Sequence, residues 1–174
     1  MKTIRDWQAK AGCGTLLPVK DLVRVEVIAL LPTNSGCAVF LGDGKKVILF
    51  YIDPSIGGAI NATLAGVPAP RPLTHDLFSE TLKAFGGDVL HCTIVKEEDG
   101  VYFGRLYLTA ENELQKKKVI ELDARPSDCL AMAVRADAPV FVVRTVWERL
   151  EDMSQALEEL RMESTNHEGF GLDD

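Results

Sequence analysis

The sequence predicts an α+β domain: a duplicated strand–strand–strand–helix (β3α) unit with an intervening helix, forming one barrel-like or strongly curved sheet, plus a C-terminal helix. Two observations predict it. Short alternating apolar segments separated by turn residues come in two sets of three, each set followed by a helical pattern. Three matches then recur at one offset of 72 positions: Lys45-Lys46-Val47-Ile48 returns as Lys117-Lys118-Val119-Ile120, Pro54-Ser55 as Pro126-Ser127, and Ala59 as Ala131.

The elements follow in order. Residues 1–19 have weak periodicity and contain Gly12, Gly14 and Pro18, which reads as a loosely held arm. Val23, Val25, Val27 and Ala29 alternate as a first strand, and residues 32–36 form a turn. Cys37 to Leu41 and Lys46 to Tyr51 are the next two strands, separated by Gly42-Asp43-Gly44. Asp53-Pro54 opens a helix with an acidic cap and proline at its first position, and Gly66 stops it. Thr74 caps a second helix, with Leu73 packing on Phe78 as a staple and Leu77, Phe78, Leu82 and Phe85 as its buried stripe.

The first order then returns. Asp88 to Val95, Val101 to Thr109 and Lys118 to Leu122 are strands, Pro126 to Asp137 is a helix, and Val140 to Val143 is a closing strand. From Val146 one amphipathic helix runs to about Met162, its apolar residues near heptad spacing. It reads as packed on its own domain in preference to a dimer seam, because fewer than three heptads are present. The chain therefore divides into an arm (1–19), a core domain (20–145) and an acidic C-terminal helix and tail (146–174).

Composition bounds the function. The chain has 174 residues and 47% hydrophobic residues, enough for a core without disulfides. No apolar run approaches the roughly 18 residues of a membrane span, and the N-terminus lacks a signal-peptide pattern, so a cytoplasmic protein is expected. Cys13, Cys37, Cys92 and Cys129 form no C-x-x-C pair and read as reduced thiols. Most of the net charge of −7 belongs to the segment after residue 145, where two Lys/Arg face nine Asp/Glu. The near-neutral core excludes a broad basic face for tight nucleic-acid binding.

Two segments concentrate charge at helix starts, where free N–H groups and the dipole favour anions: residues 71–76 and residues 123–128. At the repeat offset Asp53 corresponds to Arg125 and Ile56 to Asp128. The second copy thus breaks a local stability rule that the first copy keeps, which is a mark of function. The structural alternatives are dipole stabilisation by Asp76 and Asp128, an Arg125–Asp123 ion pair, and a capping role for His75. No base is placed by the sequence to activate Ser127 as a nucleophile.

Arg71-Pro72-Leu73-Thr74-His75-Asp76-Leu77 and Asp123-Ala124-Arg125-Pro126-Ser127-Asp128, followed by Ala138-Pro139-Val140-Phe141-Val142, resemble the two signature stretches of the bifunctional nuclease family. The resemblance covers about residues 20–145. It implies a duplicated β3α fold and cleavage of DNA and RNA assisted by a divalent cation, Mg²⁺ or Mn²⁺. On that reading Asp76, Asp123 and Asp128 are the hard metal ligands, and the same acids with His75 form the catalytic set. His75 serves as base or ligand, while Arg71, Arg125 and Ser127 bind the phosphate. The expected partner is nucleic acid, held weakly and without sequence specificity, and a homodimer or other homo-oligomer is compatible with the chain. A non-catalytic module for a small anion or a protein partner is the alternative.

Overall fold

The computed structural model describes residues 21–34, 36–111 and 117–168. Seven strands form one sheet: β1 (Leu22–Thr33), β2 (Gly36–Gly42), β3 (Val47–Ile52), β4 (Gly87–Glu98), β5 (Val101–Glu111), β6 (Lys117–Ala124) and β7 (Val140–Val143). Their order is β3-β2-β1-β7-β4-β5-β6, so two antiparallel meanders flank the short β7. β7 runs antiparallel to β1 and parallel to β4. The expected closure into a barrel is not found: β3 and β6 are the two ends of an open sheet. The expected arm, residues 1–19, lies outside the described residues.

Each meander leads into a helix, α1 (Pro54–Leu64) after β3 and α3 (Pro126–Arg135) after β6. Proline stands at the first position of both, where its fixed φ fits and its missing N–H is no loss. Asp53 caps α1, its carboxylate accepting from the Ser55 backbone N–H at 2.8 Å, whereas the Arg125 side chain at the cap of α3 makes no bond to the helix backbone. α1 and α3 pack on the sheet over the main core, which includes Val39, Ile60, Ile94, Leu130, Met132 and Val142. Gly104 lets α3 approach β5 closely: a Cβ there would lie 2.8 Å from the Ala124 carbonyl and from Cys129 Sγ.

The helix between the meanders, α2 (Thr74–Ala84), departs from the pattern expected for it. Thr74 begins the helix instead of capping it. The cap is Leu73, whose backbone N–H donates to Asp76 Oδ2 at 2.8 Å. The expected buried stripe faces outward, with Leu77 64%, Phe78 42% and Phe85 82% exposed. Only Leu82 of that set packs against the core, and Ser79 is the one fully buried residue of the helix.

The C-terminal segment is two helices, not one: α4 (Arg144–Arg149) and α5 (Ser154–Glu168). The break has a local cause. Asp152 accepts from the Ser154 backbone N–H at 3.0 Å, from its hydroxyl at 2.6 Å and from Val47 N–H at 3.3 Å, which starts a new helix. Leu157 is buried with Ala38 and Phe40, so α5 packs on its own domain as expected. Cys37, Cys92 and Cys129 are buried free thiols. Among the described residues no helix is long and apolar enough to cross a membrane.

Candidate functional site at two helix starts

The two charged helix starts meet. α2 and α3 pack together, and His75 Nε2 lies 3.1 Å from Asp128 Oδ1. Arg125 completes the cluster from the cap of α3, donating from Nε to Asp128 Oδ2 at 2.8 Å and from Nη2 to Oδ1 at 3.2 Å. Asp128 thus carries a guanidinium on one side and an imidazole on the other. Partial burial pulls its carboxyl upward, but the hydrogen bonds from Arg125 and His75 outweigh this and hold it below the usual carboxylate range. Because an ionised carboxylate only accepts, His75 carries its proton on Nε2, and Nδ1 is left as the basic nitrogen. The His75 side chain is 15% exposed and that of Arg125 is 70% exposed.

Asp76 belongs to a different contact. Arg135, from the last turn of α3, donates from Nε to Asp76 Oδ1 at 2.6 Å and from Nη1 to the Ala131 carbonyl at 3.1 Å. The Arg135 bond and the Leu73 backbone N–H hold the Asp76 carboxyl below its ordinary range. Asp123 lies in a third place, on β6. There it pairs with Arg105, its register partner on β5, and Arg105 also contacts Glu121 at 3.2 Å.

The expected grouping of Asp76, Asp123 and Asp128 around one cation is therefore not what the fold assembles. Each acid is neutralised by a different arginine, and among the described residues no three His, Cys, Asp or Glu side chains are grouped to hold a metal ion. The Arg125–Asp123 ion pair gives way to Arg125–Asp128 and Arg105–Asp123. Ser127 sits in the first turn of α3 and is only 7% exposed. Arg71 lines an apolar-walled cleft of about 440 Å³ with Pro68, Pro70, Asp76, Glu80 and Arg135.

Two residues were not anticipated from the sequence. Arg105 and Arg135 hold the acids, and each has a signal visible in hindsight. Arg105 is the one charge between Val101 and Ala110 of β5. Arg135 closes a helix whose neighbour begins with an acid.

The bifunctional nuclease domain model matches residues 39–155. An uncharacterized protein of Mycobacterium tuberculosis is 32% identical over 104 residues, which are 60% of this chain and 58% of that protein. Bifunctional nuclease 1 of Oryza sativa subsp. indica is 30% identical over 107 residues, 60% of this chain and 31% of the rice protein. Bifunctional nuclease 2 of Arabidopsis thaliana is 26% identical over 112 residues, 63% of this chain and 33% of its own length. The matched region thus spans about a third of the plant relatives. With both signature stretches inside the matched span, this chain belongs to the bifunctional nuclease domain family.

Proposed function

We propose that this chain hydrolyses phosphodiester bonds of DNA and RNA without sequence specificity, using His75, Asp128 and Arg125 as the working set. The contact of His75 Nε2 with Asp128 carries the reading, together with the family to which the chain belongs. Asp128 orients the imidazole. Nδ1 takes a proton from the water whose oxygen attacks phosphorus. The bond to the leaving oxygen breaks, and that oxygen takes a proton from solvent. Arg125 spends Nε and Nη2 on Asp128 and keeps Nη1 for a phosphate oxygen, while Arg71 is offered from the adjoining cleft.

Asp76, Asp123 and Asp128, each paired with a different arginine, do not fit a shared divalent cation. Assays with Mg²⁺ or Mn²⁺ beside a chelator decide whether a cation adds to the set. The same reading takes the two meander–helix halves as copies of one unit. Their equal element order and the matching prolines support it. On that view Arg125 and Asp128 replaced a cap and a core residue in the second copy.

One observation favours a second reading, an anion-binding module without catalysis: every acid of the two signatures is already paired with arginine. Purified chain incubated with single-stranded DNA and RNA separates the two. Cleavage that disappears in His75→Ala and Asp128→Asn supports the nuclease. Phosphate binding that survives in His75→Ala, with no cleavage by the parent, supports the module.

A further inference from the structure

Between α1 and α2 the chain runs Val67-Pro68-Ala69-Pro70-Arg71-Pro72-Leu73 without regular structure. Prolines at alternate positions fix their own φ and hold the residues before them extended, so the segment keeps its shape without a hydrogen-bond ladder. It forms one wall of the cleft of about 440 Å³, whose other sides are α1, α2 and the last turn of α3. That volume, with mostly apolar walls and a few polar groups, suits a small-molecule site that is formed before the ligand arrives.

The charged groups of this cleft are unequally committed. Asp76 is held by Arg135, and Glu80 is paired with Lys83 at 3.2 Å. Arg71, by contrast, makes no hydrogen bond or ion pair with a described residue. Arg135 is buried, and it donates from Nε to Asp76 and from Nη1 to the Ala131 carbonyl. Its Nη2 has no partner among the described residues, and a donor left unpaired at so buried a place favours an acceptor brought by a ligand. The ligand that fits therefore carries an anion for Arg71, an acceptor for Arg135 and an apolar body for the walls.

We propose that the cleft is a nucleobase subsite, holding the nucleotide next to the phosphate that is cut; its ligand class rests on the nuclease reading. The base lies against Val67, Pro68, Pro70 and Leu73, and an acceptor on its edge takes Arg135 Nη2. Arg71 grips the phosphate on the side of that nucleotide away from the cut. The spacing agrees with this path. His75 and Asp76 are consecutive, yet they reach opposite ends of α3, Asp128 in its first turn and Arg135 in its last. The two ends are about 10 Å apart along the axis, comparable with the reach of one nucleotide from base edge to phosphate. Apolar walls with one donor take any base that offers an acceptor, so the strand is positioned with little sequence preference. A paired base cannot enter, which selects single strands.

The test is an NMR titration of the full chain, read from amide shifts, with uridine 5′-monophosphate, ribose 5-phosphate and inorganic phosphate as probes. The nucleotide is expected to bind about tenfold or more tighter than ribose 5-phosphate, with its largest shifts at residues 66–73 and at Arg135. Arg71→Ala weakens nucleotide and ribose phosphate alike, by about fivefold or more. Val67→Ser with Leu73→Ser removes only the advantage of the nucleotide. All three side chains are exposed, so circular dichroism and melting temperature stay near the parent's. His75→Ala leaves nucleotide binding within about twofold, because the imidazole faces Asp128 and not the cleft. Equal binding of nucleotide and ribose phosphate, or shifts centred elsewhere, overturns the subsite whatever the parent's cleavage rate. Nucleotide binding of the expected kind by a parent that cleaves nothing supports the subsite and removes the nuclease reading.

Discussion

Asp53 and Arg125, 72 positions apart, cap the helices that follow the two meanders, and each strengthens the other's charge across the space between the helix starts. Asp53 satisfies its own helix through Ser55. Arg125 leaves its helix without a side-chain cap and turns to Asp128. One helix start is built for stability. The other gives up a cap, worth about 1 kcal/mol, and gains an oriented guanidinium beside an imidazole–carboxylate pair.

The first prediction concerns Asp128. Asp128→Asn keeps the size of the side chain but removes the charge that orients His75 and holds Arg125. Cleavage should fall by about 10²- to 10⁴-fold, the usual contribution of positioned proton transfer. The melting temperature should change little, since the pair is partly solvent-exposed. Single-turnover assays on RNA beside a thermal melt provide the check, and undiminished cleavage by the variant would remove Asp128 from the mechanism.

Asp76 and Arg135 carry the opposite expectation. The Arg135 side chain is 7% exposed and ties the end of α3 to the start of α2. Arg135→Met leaves Asp76 without its guanidinium and loosens α2. A loss of about 1–3 kcal/mol is expected from a hydrogen bond between charged groups at a partly buried place. Urea denaturation measures it directly. Hydrogen exchange should show the loss concentrated in α2, and uniform protection across the chain would contradict that assignment.

The pH dependence of stability has a separate origin in His91. It stacks on Tyr107 with ring centres 4.2 Å apart and meets Phe141 edge-on, and burial lowers its pKa to about 4. The unfolded chain takes up a proton near pH 6.5 and the folded one only near 4. Between these values the unfolded state binds more protons, so stability falls as pH drops through that window. The loss is on the order of a few kcal/mol. Asp76 and Asp128, held low by their partners, keep their contribution through this window and lose it only as pH falls below the ordinary carboxylate range. His91→Phe should flatten the melting temperature between pH 4 and 6.5. A profile as steep as the parent's would point to another group.

Strand positions and both proline-started helices were legible because alternation, turn residues and caps are local signals. What failed was the side on which a pattern lies. Leu77, Phe78 and Phe85 have helical spacing, but spacing does not say whether the stripe meets this domain or another surface. From Val146 to Leu160 the apolar spacing predicts one helix, and the hydrogen bonds from Ser154 to Asp152 divide it in two. At the site, the two charged helix starts were legible as local runs of charge beside proline, and the contact of His75 with Asp128 was not, since it depends on how α2 packs on α3. Nor was the separation of Asp123, since the register of β6 against β5, which sets Arg105 opposite it, is a long-range fact.

The last prediction returns to Arg125. Its two bonds to Asp128 leave from Nε and Nη2, the fork that lysine lacks. Arg125→Lys should fold as the parent does and lose cleavage by about tenfold or more, because charge without the fork holds neither carboxylate nor phosphate in two places. Arg125→Asp is the sharper variant. It restores the cap that Asp53 provides in α1, which favours the helix by about 1 kcal/mol. It also sets a carboxylate beside Asp128 and Asp53, where an arginine had been attracted to both. The two effects oppose each other, so stability should stay within about 1 kcal/mol of the parent. Activity and phosphate binding should vanish, since the guanidinium is gone and the local charge has reversed. A thermal melt and a cleavage assay on this one protein separate a structural residue from a functional one. If Arg125→Asp cleaves nucleic acid as fast as the parent, the guanidinium has no part in the chemistry, and Asp128 serves only to orient His75.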